Sequence, residues 1–281
     1  MSHPRPVTAL LGLGAMGRAM RSRLDETAEP SAQAARAWER KRGAAALAEA
    51  VTGAGIVLVM VSDDHALLDV LAAAAPHAAP GTIFVDMGTS GVSAARTAAE
   101  RLAATGHRFV DVPVSGTVGP ARRGELLGFA GGSAEDLAGA RPVLDRLCRR
   151  IIHAGGVGQG QALKVVVNGL GAHHLVAFAS MLALGERAGV SREALVDAFT
   201  DGAFASPSYV GKKPRVLARR YDAPDFSLRL TKKDARLARE LAEQAKLALP
   251  ALEAVAGEID RGVEAGLGEE DLFALEKLYP R

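Results

Sequence analysis

Apolar positions in the first half of the chain fall into short, β-rich runs separated by stretches with helical spacing. The runs expected to be strands are Val7–Gly12, Ile56–Val61, Thr82–Asp86, Phe109–Pro113, Leu126–Ala130 and Arg150–His153. Between them, Asp64–Ala75, Val92–Ala104 and Ala134–Leu147 carry apolar residues at helical intervals, with Ser133 an expected N-cap. Strands alternating with helices predict βαβ units and a doubly wound parallel sheet. After the glycine-rich stretch Gly155–Gly160 no alternating strand signal returns. Helical periodicity then continues to the C-terminus, with breaks near Gly202–Ser208 and Asp222–Asp225. The expected class is α/β: a sheet domain over 1–160 followed by an all-α domain over 161–281.

The helix that opens the second half, within "GQGQALKVVVNGLGAHHLVAFASMLALGERAG", is apolar almost all the way round and would run about 40 Å at ~1.5 Å per residue. Its faces need covering by the following helices or by a second subunit, so a homodimer through residues after Gly160 is expected. Its length nearly serves a membrane span, but Lys164, Asn168, His173 and His174 interrupt the apolar window, and no membrane association is expected. A lysine on such a surface must find a partner, lie at a cleft or bear several kcal/mol of desolvation, and Asn168 shares its face one turn on. Burial also disfavours the charged form of an amine and brings it nearer the range useful for proton transfer. A lysine snorkelling from a helix end is the plainer alternative.

Composition narrows the class further. In 281 residues, Lys+Arg 34 against Asp+Glu 32 leave a net charge of +2, with the basic residues dispersed, so no nucleic-acid footprint is expected. A single cysteine, Cys148, cannot build a disulfide framework, and the first residues lack a secretory pattern; a cytoplasmic setting is expected.

"VTALLGLGAMGRAM" sets Gly12, Gly14 and Gly17 in GxGxxG spacing directly after the first apolar run and before a helical segment. In that context Gly12 permits a tight turn, Gly14 lets backbone approach a pyrophosphate, and Gly17 lets helix pack on strand, with the anion at the helix N-terminus. Leu13, Ala15 and Met16 complete the turn, and the implied cofactor is NADP or NAD. Further on, "ARAWERKRG" offers Glu39 followed by Arg40, Lys41 and Arg42; Arg40 and Lys41 suit a 2′-phosphate, which favours NADP, while a solvated basic turn is the alternative. The segment between this cluster and "AGIVLVMV" reads as too short for a full helix. Ser62 and Thr89 follow expected strands, at the ends where open α/β sheets bind ligands. His173 and His174 have no cysteine or acid at ligand spacing, so no metal is expected.

Four separated motifs carry a resemblance: "GLGAMG" at 12–17, "DVPVSGTVGPARRGELLGFAGG" at 111–132, "GGVGQGQALKVVVN" at 155–168 and "FSLRLTKKDARLA" at 226–238. Together they resemble the β-hydroxyacid dehydrogenase family, which includes 3-hydroxyisobutyrate dehydrogenase and tartronate semialdehyde reductase. The resemblance implies a Rossmann-type N-terminal domain, a helical C-terminal domain, an active site in the cleft between them, and Lys164 as the catalytic lysine. By the same comparison Ser115, Gly116 and Thr117 rest the substrate carboxylate, Lys233 closes over the nicotinamide, and Asp234 braces its helix. Residues 25–50 depart from the family pattern.

The expected reaction moves a hydride between nicotinamide and the carbonyl carbon of a small aldehyde or keto acid. Lys164 handles the proton and Asn168 orients the oxygen. Two other readings are an imine reductase of a related fold, which typically carries a different residue at the position of Lys164, and a non-catalytic NADP-binding interaction protein.

Overall fold

The computed structural model describes residues 7–28 and 35–279. The expected domain ends at 1–6 and 280–281, and residues 29–34 of the atypical stretch, lie outside the described residues. The chain divides into two compact units, Met1–Val165 and Val166–Arg281.

In the first unit the order is β1 (Thr8–Leu11), α1 (Ala15–Glu26), β2 (Arg36–Trp38), α2 (Gly43–Val51), β3 (Ile56–Val59), α3 (Asp64–Ala74), β4 (Ile83–Asp86) and α4 (Val92–Ala103). Then follow β5 (Arg108–Asp111), β6 (Val114–Ser115), α5 (Val118–Arg123), β7 (Leu126–Gly131), α6 (Ala134–Leu147) and β8 (Cys148–Gly155). The sheet runs β2-β1-β3-β4-β5-β7-β6, with β8 beside β7. Strands β1, β3 and β4 are buried at every residue, which is why they read as unbroken apolar runs. Alternate residues serve opposite layers. Leu10, Leu58 and Val85 pack with Met20 and Leu24 of α1 and Leu144 of α6, whereas Leu11, Val57 and Phe84 pack with Val51 of α2, Leu67 of α3 and Leu102 of α4.

Two details differ from the sequence reading. The sheet is parallel from β2 through β5, but β7 runs antiparallel to both β5 and β6. The link from β6 to β7, residues 116–125, is shorter than the dozen or so residues a parallel crossover needs. The segment after Arg42 does hold a helix: α2 has 9 residues. β2 stops at Trp38, and the alanine-rich stretch that follows is a strong helix former whose Leu47, Ala50 and Val51 are buried.

The remaining helices are α7 (Gln159–Arg187), α8 (Arg192–Asp201), α9 (Pro207–Leu217), α10 (Leu228–Gln244) and α11 (Pro250–Gly262), then a 3-10 segment over Leu272–Leu278. The unit boundary falls inside α7, after Val165. In the second unit Phe178 of α7 centres an aromatic cluster, with ring centroids 5.2 Å from Phe199, 4.7 Å from Tyr209 and 5.1 Å from Phe273. Buried Arg192 is satisfied by the Glu276 carboxylate, Glu186 and the Val216 carbonyl. Ser206, inside the first expected break, caps α9, and Ser227, just after the second, caps α10; Ser191 caps α8, where no break is expected.

Candidate active site

The turn between β1 and α1 is a cradle only glycine can build. Gly12 has φ +103, and a Cβ there would lie 2.2 Å from the Met60 carbonyl oxygen; one on Gly17 would lie 1.9 Å from the Gly12 oxygen. Gly14 opens onto free space. It is the N-cap of α1, makes no side-chain capping bond, and no acid stands in the first turn, so the leading N–H groups of α1 have no anion of the protein's own. They face a cleft of about 720 Å³ lined by Gly12, Leu13, Gly14, Glu39, Arg40 and Ser62, among others. This cleft lies past the C-terminal ends of β1, β2 and β3, where the strand order turns from β2 on one side of β1 to β3 on the other. A glycine cradle, uncapped N–H groups and a neighbouring guanidinium fit the pyrophosphate and adenosine of a dinucleotide.

Not every residue expected at the cofactor lines this cleft. Arg40 does, and among the described residues it has no ion-pair partner; Lys41 does not, and its ammonium lies 3.0 Å from Glu39. Ser62 Oγ donates to Asp63 at 2.6 Å, and Asp63 in turn caps α3. Thr89 sits half-buried in the loop after β4.

Along the same C-terminal side of the sheet, at the ends of β4 and β5, α7 begins on buried carboxylates. Asp86 and Asp111 occupy the last positions of adjacent strands β4 and β5, paired in register, and are 1% and 0% exposed. Asp111 accepts from the Gly158 and Gln161 N–H groups, both at 2.8 Å. Asp86 accepts from Gly88 N–H at 3.0 Å, Ser90 Oγ at 2.8 Å and Gln161 Nε2 at 2.9 Å. Burial pushes the Asp86 carboxyl up to about 7; its donors pull it down, and the charge of Asp111 adds to the rise. Burial likewise raises Asp111, against the N–H groups that α7 supplies.

Lys164 follows one turn after Gln161 and is 8% exposed. Asn168, four residues on, donates through Nδ2 to Asp234 Oδ2 at 2.6 Å, and the Lys233 ammonium stands 3.3 Å from Asp234 Oδ1. Asp234 therefore ties α10 to α7. Ser115 ends β6, half-buried, and Gly116 and Thr117 after it are exposed. His173 Nδ1 bonds the Gly169 carbonyl at 2.8 Å within its own helix.

Residues 8–156 match the family model of the NAD binding domain of 6-phosphogluconate dehydrogenase. Residues 158–279 match that of the NAD-binding region of NADP-dependent 3-hydroxyisobutyrate dehydrogenase. The 3-hydroxyisobutyrate dehydrogenase of Pseudomonas aeruginosa is 32% identical over 96% of this chain and 97% of its own. The chain belongs to the β-hydroxyacid dehydrogenase family. Another relative is glyoxylate/succinic semialdehyde reductase 1 of Arabidopsis thaliana, 29% identical over 94% of this chain and 95% of its own. The solved 3-hydroxyisobutyrate dehydrogenase of Mycobacterium tuberculosis with L-serine superposes with a TM-score of 0.84 at 27% identity, covering 98% of this chain and 99% of that one. As a β-hydroxyacid dehydrogenase, the chain is an NAD(P)-dependent oxidoreductase acting on the CH–OH/C=O couple.

Sequence reasoning missed Asp86, Asp111 and Gln161. The available signal was an acid ending each of two apolar strands, "FVD" twice, opposite a glutamine in the glycine-rich stretch.

Because the folded Asp86 carboxyl titrates near 7 and its unfolded counterpart near 3.8, the folded state holds the extra proton between those values. Stability from this group is complete below about 4 and is lost as pH rises through about 7, at up to about 1.4 kcal/mol per unit. Urea denaturation at pH 5 and 7.5 should show that decline, and Asp86→Asn should flatten it; an unchanged pH slope in Asp86→Asn counts against the assignment.

Proposed function

We propose that this β-hydroxyacid dehydrogenase uses NADP in preference to NAD to interconvert a small carboxylate-bearing aldehyde or keto acid and its hydroxyacid, with Lys164 as general acid and base. The observation that carries the reading is Lys164 itself: a lysine 8% exposed, early in α7, in a chain whose sheet also builds a dinucleotide cradle. The relatives' names point to glyoxylate, succinic semialdehyde and 3-hydroxyisobutyrate as the first substrates to try.

When bound, the nicotinamide supplies the hydride in reduction and takes it in oxidation. Lys164 Nζ donates a proton to the carbonyl oxygen as negative charge grows there, and recovers it in the reverse direction. Asn168, its amide held by Asp234, presents its second N–H to the same oxygen. Ser115, Gly116 and Thr117 offer N–H and hydroxyl groups to the substrate carboxylate. The Arg40 guanidinium, at the cleft with no carboxylate paired to it among the described residues, holds the 2′-phosphate. For Lys233 we propose the nicotinamide end of the cofactor.

α7 meets the length and composition of a membrane span. We read it as a core helix, because Ala172, Leu175, Phe178 and Leu182 are buried among the other helices of the second unit. Its outer stripe, Val166, Leu170, Met181 and Leu184, is 59%, 58%, 48% and 60% exposed, and we assign it to the twofold interface of a homodimer. The lone cysteine, buried Cys148, suits a reducing cytoplasm.

Lys164→Ala should lower kcat by about 10²–10⁴ with NADPH still bound, and Lys164→Arg should fail nearly as badly, since a guanidinium does not release its proton near neutral pH. Steady-state kinetics on the three substrates decides: near-normal turnover in Lys164→Ala, or rescue by arginine, overturns the assignment.

Arg40→Ala should raise the NADPH KM by at least tenfold while shifting that for NADH little, because a charged hydrogen bond is worth about 1.5–3 kcal/mol. Equal effects on both cofactors argue against the 2′-phosphate role.

In light scattering at micromolar concentration the chain should run at twice its own mass, and Leu170→Lys with Leu184→Lys should halve it. A monomeric parent protein removes the dimer proposal.

A further inference from the structure

Gln161 is fully buried, and its polar atoms are committed to two separate elements. Its Nε2 donates to Asp86 Oδ2 at 2.9 Å and to the Gly88 carbonyl at 3.0 Å, and its Oε1 accepts from Ser90 N–H at 3.1 Å. Its own backbone N–H is taken by Asp111 Oδ2. The side chain therefore replaces peptide partners for the loop that carries Thr89, while its backbone fixes the first turn of α7.

That turn has no room to slip. A Cβ on Gly160 would lie 2.4 Å from the Phe129 carbonyl oxygen and 2.7 Å from that of Asp111, and a Cβ on Gly131 would lie 2.6 Å from Gly160 N. Backbone meets backbone, so the register of α7 on the sheet is set by these contacts and by the hydrogen bonds of Gln161. Lys164 stands one turn further along the same helix, so the phase and depth of its side chain follow from the anchor.

We propose that Gln161 is a positioning residue of the reaction: it locks the helix bearing Lys164 to the loop bearing Thr89, and so fixes the acid–base group relative to the cofactor. This rests on the reading of Lys164 as the proton donor. A displacement of about 1 Å at the reacting centre can cost about 10²-fold in rate, and that is the size of effect expected when the lock is removed. The glycine cradle and Arg40 sit on other strands, so of the cofactor's expected contacts only the Thr89 loop depends on Gln161, and NADPH affinity changes far less than turnover.

The test is a cycle of Gln161→Ala, Lys164→Ala and the double variant, with NADPH and the best of the three substrates, turnover being counted per NADPH-binding site so that unfolded protein does not contribute. Gln161→Met, which keeps the volume but not the hydrogen bonds, repeats the measurement should the alanine variant fold poorly. The expected result is a kcat lower by about 10²-fold in Gln161→Ala and Gln161→Met with NADPH Kd within threefold, and less than twofold further loss when Gln161→Ala is added to Lys164→Ala. Equal fractional losses in both backgrounds, or kcat within threefold of the parent in Gln161→Ala or Gln161→Met, overturn the inference while leaving Lys164 in place. Full turnover in Lys164→Ala instead overturns the reading on which it rests.

Discussion

The structure depends on a burial problem at the C-terminal ends of two interior strands of the sheet. Two carboxylates, Asp86 and Asp111, end neighbouring strands with almost no exposure to water. Leaving such groups without donors would cost several kcal/mol each, so something must bring N–H groups to them. The first turn of α7 does so from Gly158 and Gln161, and the need for close approach explains the glycines on both sides of the contact. The start of the longest helix in the chain is thus dictated by the acids of the sheet. Lys164, one turn further along α7 within the first unit, inherits its position from that contact.

Two helix N-termini in the first unit put the same physics to opposite uses. The orphan N–H groups of α7 are consumed internally by Asp111. Those of α1 meet neither a capping side chain nor an acid, although α3, α6, α8, α9 and α10 are all capped by Asp or Ser. Helices α2, α4, α5 and α11 also lack a side-chain cap, so it is the glycines opening the α1 backbone to a cleft that leave a positive end there for an anion from outside the protein.

Much of this was legible from the chain. The buried strands announced themselves as unbroken apolar runs, and the glycine spacing after the first of them marked the cradle, because steric demands of that kind leave few alternatives. Lys164 stood out because a charge on an apolar helix needs a reason. What stayed hidden is non-local. That Asp86 and Asp111 lie side by side follows from strand order, and the Gln161 side chain is separated from its partners by more than 70 residues, so no local spacing reveals the bond. The reversal of β7 and the helix α2 were missed for a related reason: connection length and the early end of β2 decide them, and neither leaves a periodic signal.

The end of β2 shows how composition alone can mislead about a site. "ERKR" reads as three interchangeable cations beside one acid, yet the fold gives them different tasks. Lys41 pairs with Glu39, and the Arg42 guanidinium is tied to the Ala37 carbonyl, so both spend their donors on the turn itself. Arg40 alone among the three lines the cleft and has no such commitment among the described residues. Glu39 lines it too, and a bare carboxylate there would attract the ribose hydroxyls of NAD and repel a 2′-phosphate. With Lys41 at 3.0 Å its charge is partly answered, which tilts the local field toward the phosphate without removing the acceptor. The proposed preference for NADP is on this argument a matter of degree, set by how firmly an exposed lysine holds one carboxylate.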